Sequence, residues 1–214
     1  MDWAELFMTG GFVTIPLLLC SLVSVTLIAE RLIFWIQLNR GQRRLMSQVL
    51  ALYRDDPTQA IALLKKNKHL PICRIYLEAL SLPEPNLAEF TLALETAAKA
   101  EIPLLKRFNT VFETIIAVAP LLGLLGTILG LMNSFSALKI GDVGSTETVN
   151  VTAGISEALI STAAGLIIAI VTLLFANSFR GFYVRQITLI QEYGGHLELL
   201  HRRLSNNSHS DRSH

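Results

Sequence analysis

Charge is absent from three long stretches of this 214-residue chain. No Asp, Glu, Lys or Arg occurs at residues 6–29, 114–138 or 158–179. Each stretch is longer than the roughly 20 apolar residues that cross the hydrocarbon core of a bilayer. Hydrophobic residues make up 51% of the chain and charged residues only 16%. This composition disfavours a soluble globular protein and predicts three membrane-spanning helices.

Basic residues are also absent before the first apolar stretch, where only Asp2 and Glu5 carry charge. A cleaved secretion signal has a basic start and an apolar core of about 7–15 residues, which this stretch exceeds. We therefore expect the first stretch to be retained as a membrane anchor.

Lys and Arg are distributed unevenly among the segments that flank the spans. The N-terminus has none, and the segment between the second and third spans has only Lys139. The other two flanking segments contain Arg31, Arg40, Arg43, Arg44, Arg54, Lys65, Lys66, Lys68, Arg74, Lys99, Lys106 and Arg107, and then Arg180, Arg185, Arg202 and Arg203. Because basic loops stay in the cytoplasm, the N-terminus is predicted to lie outside and the C-terminus inside.

The predicted boundaries follow from these spans and from breaks in the apolar pattern. They are an outer N-terminus 1–10, spans 11–29, 114–136 and 154–179, a helical cytoplasmic loop 30–113, a short outer loop 137–153, a cytoplasmic helical extension 180–204 and a tail 205–214. The tail is predicted to be disordered because it is polar and poor in apolar residues.

Helix-start signals organise the long cytoplasmic loop of this predicted all-α membrane protein. The Asp56-Pro57 pair predicts an N-cap followed by proline at the first helical position. Asn86, with Glu89 three residues later, predicts a capping box. The apolar pattern then continues without a stop, so one long helix with a kink at Pro103 is predicted to extend the second span into the cytoplasm. The third span is predicted to extend likewise.

Residue sets that carry enzymatic chemistry are scarce. Cys20 and Cys73 are expected to be reduced, because they lie at different predicted depths. The five histidines have no close metal-binding spacing, and no paired carboxylates, nucleophile triad or phosphate loop occurs. We therefore predict no metal, no cofactor and no enzymatic activity. The net charge of +1 gives no reason to expect nucleic-acid binding, so the basic residues are assigned to topology and to membrane lipids.

Small residues distinguish the second and third spans from the first, which is mostly Leu, Val and Ile and is expected to face lipid. Their spacings of three and four place them on one face of each helix, where another helix can approach closely. The predicted packing residues are Ala119, Pro120, Gly123, Gly126, Gly130, Gly154, Ala158, Gly165 and Ala169. Because a three-helix monomer offers too few neighbours for these faces, we predict a homo-oligomer.

Four polar residues in the spans are candidate functional residues, which could line a path for ions or water: Thr127, Glu157, Ser161 and Thr162. The structural alternative for each threonine is a hydrogen bond to a carbonyl three or four residues earlier in its own helix. Glu157 lies about one turn inside the outer end of the third span. It is therefore either a functional intramembrane carboxylate or one that is solvated at the outer surface.

Two motifs in the second and third spans carry a family resemblance. They are Ile-Ile-Ala-Val-Ala-Pro-Leu-Leu-Gly-Leu-Leu-Gly-Thr-Ile-Leu-Gly at 115–130 and Gly-Ile-Ser-Glu-Ala-Leu-Ile-Ser-Thr-Ala-Ala-Gly-Leu at 154–166. With the Glu30-Arg31 pair that closes the first span, the chain resembles the MotA/TolQ/ExbB proton-channel family. Three spans with one large cytoplasmic loop are similar to its ExbB and TolQ branch.

The resemblance implies a pentameric ring in the bacterial inner membrane, with a periplasmic N-terminus, around the single-span helices of an ExbD- or TolR-like partner. Proton flow through the partner's membrane aspartate would energise a TonB- or TolA-like protein for outer-membrane transport or envelope maintenance. By the same resemblance Thr127 and Thr162 would face the pore, and Glu157 would be the acidic residue of the third span. Glu113 and Ile116 depart from the family pattern at the inner mouth of the pore.

Two functional hypotheses remain open from the sequence. The spans contain hydroxyls but no mid-membrane carboxylate, and a threonine hydroxyl can position water without carrying a transferable proton. A proton channel would therefore need a titratable group from a partner helix. The alternative is a non-conducting oligomeric scaffold for a partner protein, which would show the same close packing. The sequence also leaves open an ExbB-like or TolQ-like role, and protons or sodium as the ion.

Overall fold

The computed structural model describes residues 12–83, 85–137 and 145–211, and it leaves undescribed the side chains at 137, 145–151, 153, 157 and 204–211. Throughout these ranges the regular structure is α-helical, which confirms the predicted all-α class. The helices are α1 (Thr14–Asn39), α2 (Gln42–Asp55), α3 (Pro57–Lys66), α4 (Pro71–Leu80), α5 (Leu87–Leu105), α6 (Asn109–Ala137) and α7 (Ser145–Asp211). Three helical stretches are long and apolar enough to cross a membrane, as predicted: Thr14–Asp55, Leu87–Ser136 and Gly154–Arg203.

The ends of the third long helix differ from the predicted boundaries. The structure begins α7 at Ser145, inside the predicted outer loop, and continues it to Asp211, through most of the predicted disordered tail. No proline or glycine follows Gly195, so no residue in the tail blocks continuation of the helix. The predicted N-terminal segment 1–10 and residues 138–144 of the predicted outer loop lie outside the described residues.

Two helices of the cytoplasmic loop begin at the predicted caps. The Asp56 carboxylate accepts hydrogen bonds from the backbone N–H groups of Thr58 and Gln59 at 2.9 and 3.3 Å. Asn86 and Glu89 form both bonds of the capping box, each at 2.9 Å. These side chains satisfy N–H groups that a helix start leaves without a partner.

The helix predicted to run unbroken into the second span is interrupted. The structure ends α5 at Leu105 and begins α6 at Asn109. Phe108, between them, has φ 68°, a left-handed conformation that is uncommon for an aromatic residue. Pro103, the predicted kink, lies inside α5 two residues before its end. Proline lacks the N–H that would bond to the carbonyl of Lys99, and its ring crowds that carbonyl, so Pro103 weakens α5 in the turn before the helix ends.

Contacts divide the chain into two units. We call them the membrane unit, within Met1–Leu32 and Phe108–Phe179, and the loop unit, within Ile33–Arg107 and Arg180–His214. In the loop unit, the buried Tyr76 hydroxyl of α4 donates to the backbone carbonyl of Ile190 in α7 at 3.0 Å.

A second polar contact joins α4 to α5 in the loop unit. The Arg74 guanidinium donates a hydrogen bond to each carboxylate oxygen of Glu101, from Nε at 2.6 Å and from Nη2 at 2.5 Å. This pairing raises the pKa of Arg74 above its ordinary value, mainly through the hydrogen bonds to Glu101. The loop unit is therefore held by polar contacts between helices as well as by apolar packing.

Cys73 of α4 is 0% exposed, and both cysteines are free thiols, as predicted. Burial raises the pKa of the Cys73 thiol to about 12, because apolar surroundings disfavour the thiolate. Since the thiolate is the nucleophile, we expect Cys73 to resist a maleimide at about pH 8 in the folded protein and to react after denaturation. Mass spectrometry of the labelled Cys20→Ala protein measures this difference.

The same shift predicts how stability changes at alkaline pH. The Cys73 thiol has a higher pKa in the folded protein than in the unfolded chain, so it contributes fully to the stability of the fold at pH values below its unfolded-state pKa of 9.0. That contribution is lost as the pH rises toward the folded-state pKa of about 12. A Cys73→Ala variant should therefore lose less stability than the parent over this window. The comparison for the maleimide experiment is an Ala51→Cys variant, because position 51 is exposed. If Cys73 in the folded protein reacted with the maleimide as fast as a cysteine at position 51, the buried environment of Cys73 would be disproved.

Candidate functional site in the membrane helices

The second and third membrane helices, α6 and α7, meet along their small residues. A Cβ added to Gly123 would lie 3.0 Å from the carbonyl oxygen of Ser161 and from the Cα of Thr162. A Cβ added to Gly130 would lie 3.0 Å from the Cβ of Ala158. Because glycine has no side chain, the two backbones can approach to this distance. We call this contact the glycine seam; it comprises Ala119, Gly123, Gly126, Gly130 and Ser134 of α6 and Gly154, Ala158, Ser161, Thr162 and Gly165 of α7.

The glycine seam changes what the small residues indicate. The two small-residue faces pack against each other within one chain, so neither requires a second chain to fill it. The inference of an oligomer from these faces is therefore unsupported by the packing. Of the remaining predicted packing residues, Pro120 is half-buried and Ala169 is 7% exposed.

One face of α1 packs in the membrane unit. Leu17 of α1 and Val13, which directly precedes the helix, are buried in a cluster with Ile115, Ala119 and Ala169. The opposite face leaves large aliphatic side chains exposed, among them Ile15, Leu19, Leu22 and Val25. The expectation that the first span faces lipid therefore fits only one of its faces.

A hydrogen bond between buried hydroxyls also joins α1 to α7. The oxygens of Ser24 and Thr172 are 2.7 Å apart, and the two residues are 3% and 0% exposed. Thr172 already donates to the backbone carbonyl of Ile168 at 2.7 Å, so Ser24 is the donor to Thr172. Buried hydroxyls in a membrane span need such partners, and this pair fixes how α1 aligns along α7.

Thr127 and Thr162, the predicted pore residues, both use their hydroxyl hydrogens within the chain. Thr127 donates to the carbonyl of Leu124 in its own helix at 2.6 Å, which is the structural alternative. Thr162 instead donates across the glycine seam to the carbonyl of Gly123 at 3.0 Å. Both side chains are half-buried. Each oxygen keeps lone pairs, so each can accept a hydrogen bond without losing its own.

Ser161 and Glu157 differ from the threonines. Ser161 is 3% exposed, and its hydroxyl lies 2.8 Å from the carbonyl of Ala158 and 3.3 Å from that of Gly123. Its burial favours a packing role over contact with a pathway. Glu157 belongs to α7, but its side chain lies outside the described residues, so its role stays a prediction.

Arg31 was assigned from the sequence to membrane topology, to lipid contact and to the family's Glu30-Arg31 pair, but not to a buried position. It is 2% exposed, and its guanidinium carbon lies 5.4 Å from the centre of the Phe108 ring. Its Nε lies 3.7 Å from a carboxylate oxygen of Glu30. The sequence did contain a signal, because Arg31 continues the helical spacing of the buried residues Ser24 and Ile28.

The packed spans and their mid-membrane hydroxyls define an integral membrane protein. The family model of the MotA/TolQ/ExbB proton channel family matches residues 67–192, more than half of the chain. The chain therefore belongs to this family, as its two motifs predict.

Individual relatives agree with the ExbB and TolQ branch. ExbB-like 3 of Synechocystis is 58% identical over 196 residues, 92% of this chain and 93% of that protein. ExbB-like 1 of the same organism is 39% identical over 197 residues, covering 92% and 78%. The Tol-Pal system protein TolQ of Haemophilus influenzae is 32% identical over 124 residues, covering 56% and 52%. The chain is thus similar to relatives whose names refer to ExbB or to the Tol-Pal system, and none of these names describes an enzyme.

Proposed function

We propose that this chain is the ring-forming subunit of a motor driven by the proton-motive force in the bacterial inner membrane. A homo-oligomer, pentameric by family resemblance, surrounds a single-span ExbD- or TolR-like partner that supplies the titratable carboxyl group. The N-terminus lies in the periplasm and the C-terminus in the cytoplasm. The movement produced by proton flow energises a TonB- or TolA-like protein for outer-membrane transport or envelope maintenance.

The proposal rests on the hydrogen bonds of Thr127 and Thr162. The two threonines come from different helices, yet their hydroxyls bond to the neighbouring carbonyls of Leu124 and Gly123. Because Gly123 and Leu124 are consecutive residues of α6, we infer that the two hydroxyl oxygens belong to one patch, which we call the threonine patch. Both side chains remain half-exposed, whereas Ser161 beside them is buried. A hydroxyl on a partly exposed side chain at mid-span gains nothing from lipid, so the patch is suited to a polar partner.

The threonine patch has a chemical preference. Because both hydroxyl hydrogens are engaged, the patch offers acceptors and no free donor. A protonated carboxyl group has an O–H to donate to the patch, whereas an ionised one has only acceptors. The patch therefore binds the partner's acid in its proton-loaded form and releases it after the proton leaves. One such hydrogen bond contributes about 1 kcal/mol, or roughly a fivefold preference.

Replacing Thr127 or Thr162 by valine tests this role, because valine keeps the shape and removes the acceptor. We expect each variant to reduce proton flux about fivefold, and the double variant to reduce it more, since each loses about one hydrogen bond to the proton-loaded acid. The measurement is acidification of proteoliposomes that contain the chain and its single-span partner, followed with an internal pH dye under an imposed pH gradient.

Thr26→Val is the matched control. Thr26 is an exposed threonine of α1 whose hydroxyl also bonds within its own helix, to the carbonyl of Leu22 at 2.7 Å. The threonine patch does not include it, so its replacement should leave flux unchanged. Equal flux in the Thr127→Val, Thr162→Val and Thr26→Val complexes would overturn the role of the patch.

The same measurement addresses a non-conducting scaffold. That function is favoured by the engagement of both threonine hydrogens inside the chain, because a purely structural threonine bonds in this way. A scaffold would assemble with the partner and give the same flux as liposomes without protein. A channel would give partner-dependent flux that falls in the valine variants.

A further inference from the structure

The loop unit has a groove between α4 and α5 with a volume of about 550 Å³. We call it the acidic groove, and its charged lining consists of Arg74, Glu78, Glu89 and Glu101. Arg74 and Glu101 neutralise each other in their ion pair. Glu78 and Glu89 remain as two exposed carboxylates that make no ion pair within the described part of the chain. The groove thus carries an excess of two negative charges.

A second groove lies between α2 and the final part of α7, with a volume of about 400 Å³. We call it the basic groove, and its lining includes Arg54, His196 and Arg203 but no carboxylate. Among the described residues neither Arg54 nor Arg203 forms an ion pair, and both are exposed. This groove therefore carries an excess of two positive charges, which matches the acidic groove in number and opposes it in sign.

Each groove also presents an exposed leucine. Leu92 in the acidic groove is 64% exposed, and Leu199 in the basic groove is 57% exposed. An apolar side chain within a charged rim is the arrangement of a protein interface, where the leucine is buried and the charges select the partner. The two surfaces are complementary in both respects.

The two grooves share neither a lining residue nor a helix, so they are different surfaces of one unit. Contact of either groove with its own copy would bring like charges together, which disfavours a two-fold dimer. Contact of one groove with the other on a second chain pairs opposite charges and repeats from chain to chain, as a ring requires. We propose that the acidic groove of one chain docks on the basic groove of the next copy of this chain.

This docking deepens the proposed function, because it rests on the ring and names the surfaces that close it. The small residues of α6 and α7 already pack against each other within the chain, so another surface must provide the contact between subunits. The loop unit would then supply the selective contact between subunits.

Disulfide cross-linking of the full-length chain in its own membrane tests the docking. The variants carry Leu92→Cys, Leu199→Cys or both, with Cys20 and Cys73 replaced by alanine, and are oxidised before non-reducing electrophoresis. We expect a ladder of multiples from the double variant and only monomer from each single variant. Dimers from a single variant would indicate a two-fold contact and would overturn the proposal.

Charge reversal gives a second arm of the test. Glu78→Lys and Arg203→Glu should each lower the ladder yield at least fivefold at low salt, and the two together should restore it. Lys65→Glu, an exposed change on α3 outside both grooves, should leave the yield unchanged. If the ladder yield is unchanged in both single charge-reversal variants, the proposal is overturned. If the ladder is absent while flux still depends on Thr127 and Thr162, the docking fails and the proposed function stands.

Discussion

Replacing Gly165 by alanine should force α6 and α7 apart and strongly reduce the amount of folded protein. The added Cβ would lie 2.5 Å from the carbonyl oxygen of Ala119 and 3.2 Å from the Cα of Gly123. Both atoms belong to the backbone and cannot rotate away, so the helices themselves must move. Overpacking of this kind costs about 1–3 kcal/mol, and separation of the seam also disturbs the Thr162 hydrogen bond. The measurement is the midpoint of thermal unfolding in detergent.

Gly181→Ala supplies the control in the same helix. A Cβ at Gly181 would meet no heavy atom within 4 Å, and alanine favours the helix over glycine by up to about 1 kcal/mol. Its midpoint should therefore equal or exceed that of the parent. A Gly165→Ala protein as stable as Gly181→Ala would show that α6 and α7 do not pack along the glycine seam.

Arg31→Ala is expected to destabilise the membrane unit by about 2 kcal/mol or more, mainly through the desolvated cation–π contact with Phe108. The variant loses the cation–π contact with Phe108 and leaves a cavity where a 2% exposed side chain had been. It also leaves Glu30 without its ion pair, although that loss is small because the Glu30 side chain is 41% exposed. Phe108 then keeps an uncommon backbone conformation without the contact that offsets it. Unfolding and amide exchange at residues 106–109 both measure the effect.

Arg40→Ala removes an exposed arginine that directly follows the end of α1 and is the appropriate comparison. Its stability should lie within about 0.5 kcal/mol of the parent, as is usual for surface changes. Arg31→Lys should recover part of the loss, because lysine keeps the charge but not the planar face. If Arg31→Ala matched Arg40→Ala in both measurements, the buried role of Arg31 would be disproved.

Local chemistry explains which parts of the fold could be predicted. The caps at Asp56 and Asn86 formed as expected, because each depends on residues within three positions of the helix start. The three apolar stretches are likewise a local property, and so was the spacing that placed glycines on one face of α6 and α7. These features need no knowledge of what lies on the other side of the molecule.

The unpredicted features depend on residues far apart in sequence. A face of small residues indicates that another helix approaches closely, but it does not indicate which helix that is. The break before α6 occurs at Phe108, although asparagine, which tolerates left-handed backbone better, stands next to it at 109. Phe108 instead contacts Arg31, 77 positions earlier in the sequence, and local sequence does not reveal that contact. Thr162 illustrates the same limit, because its acceptor Gly123 belongs to another helix.

The glycine seam also has a consequence for the order in which the protein is made. Its two helices are consecutive, with α6 ending at Ala137 and α7 beginning at Ser145. Helices inserted one after another can associate within the bilayer before any other chain arrives, and a short connection keeps the entropy loss on closure small. Biogenesis would thus yield a hairpin of α6 and α7 that folds as a unit and buries its closest-packed surface within the chain.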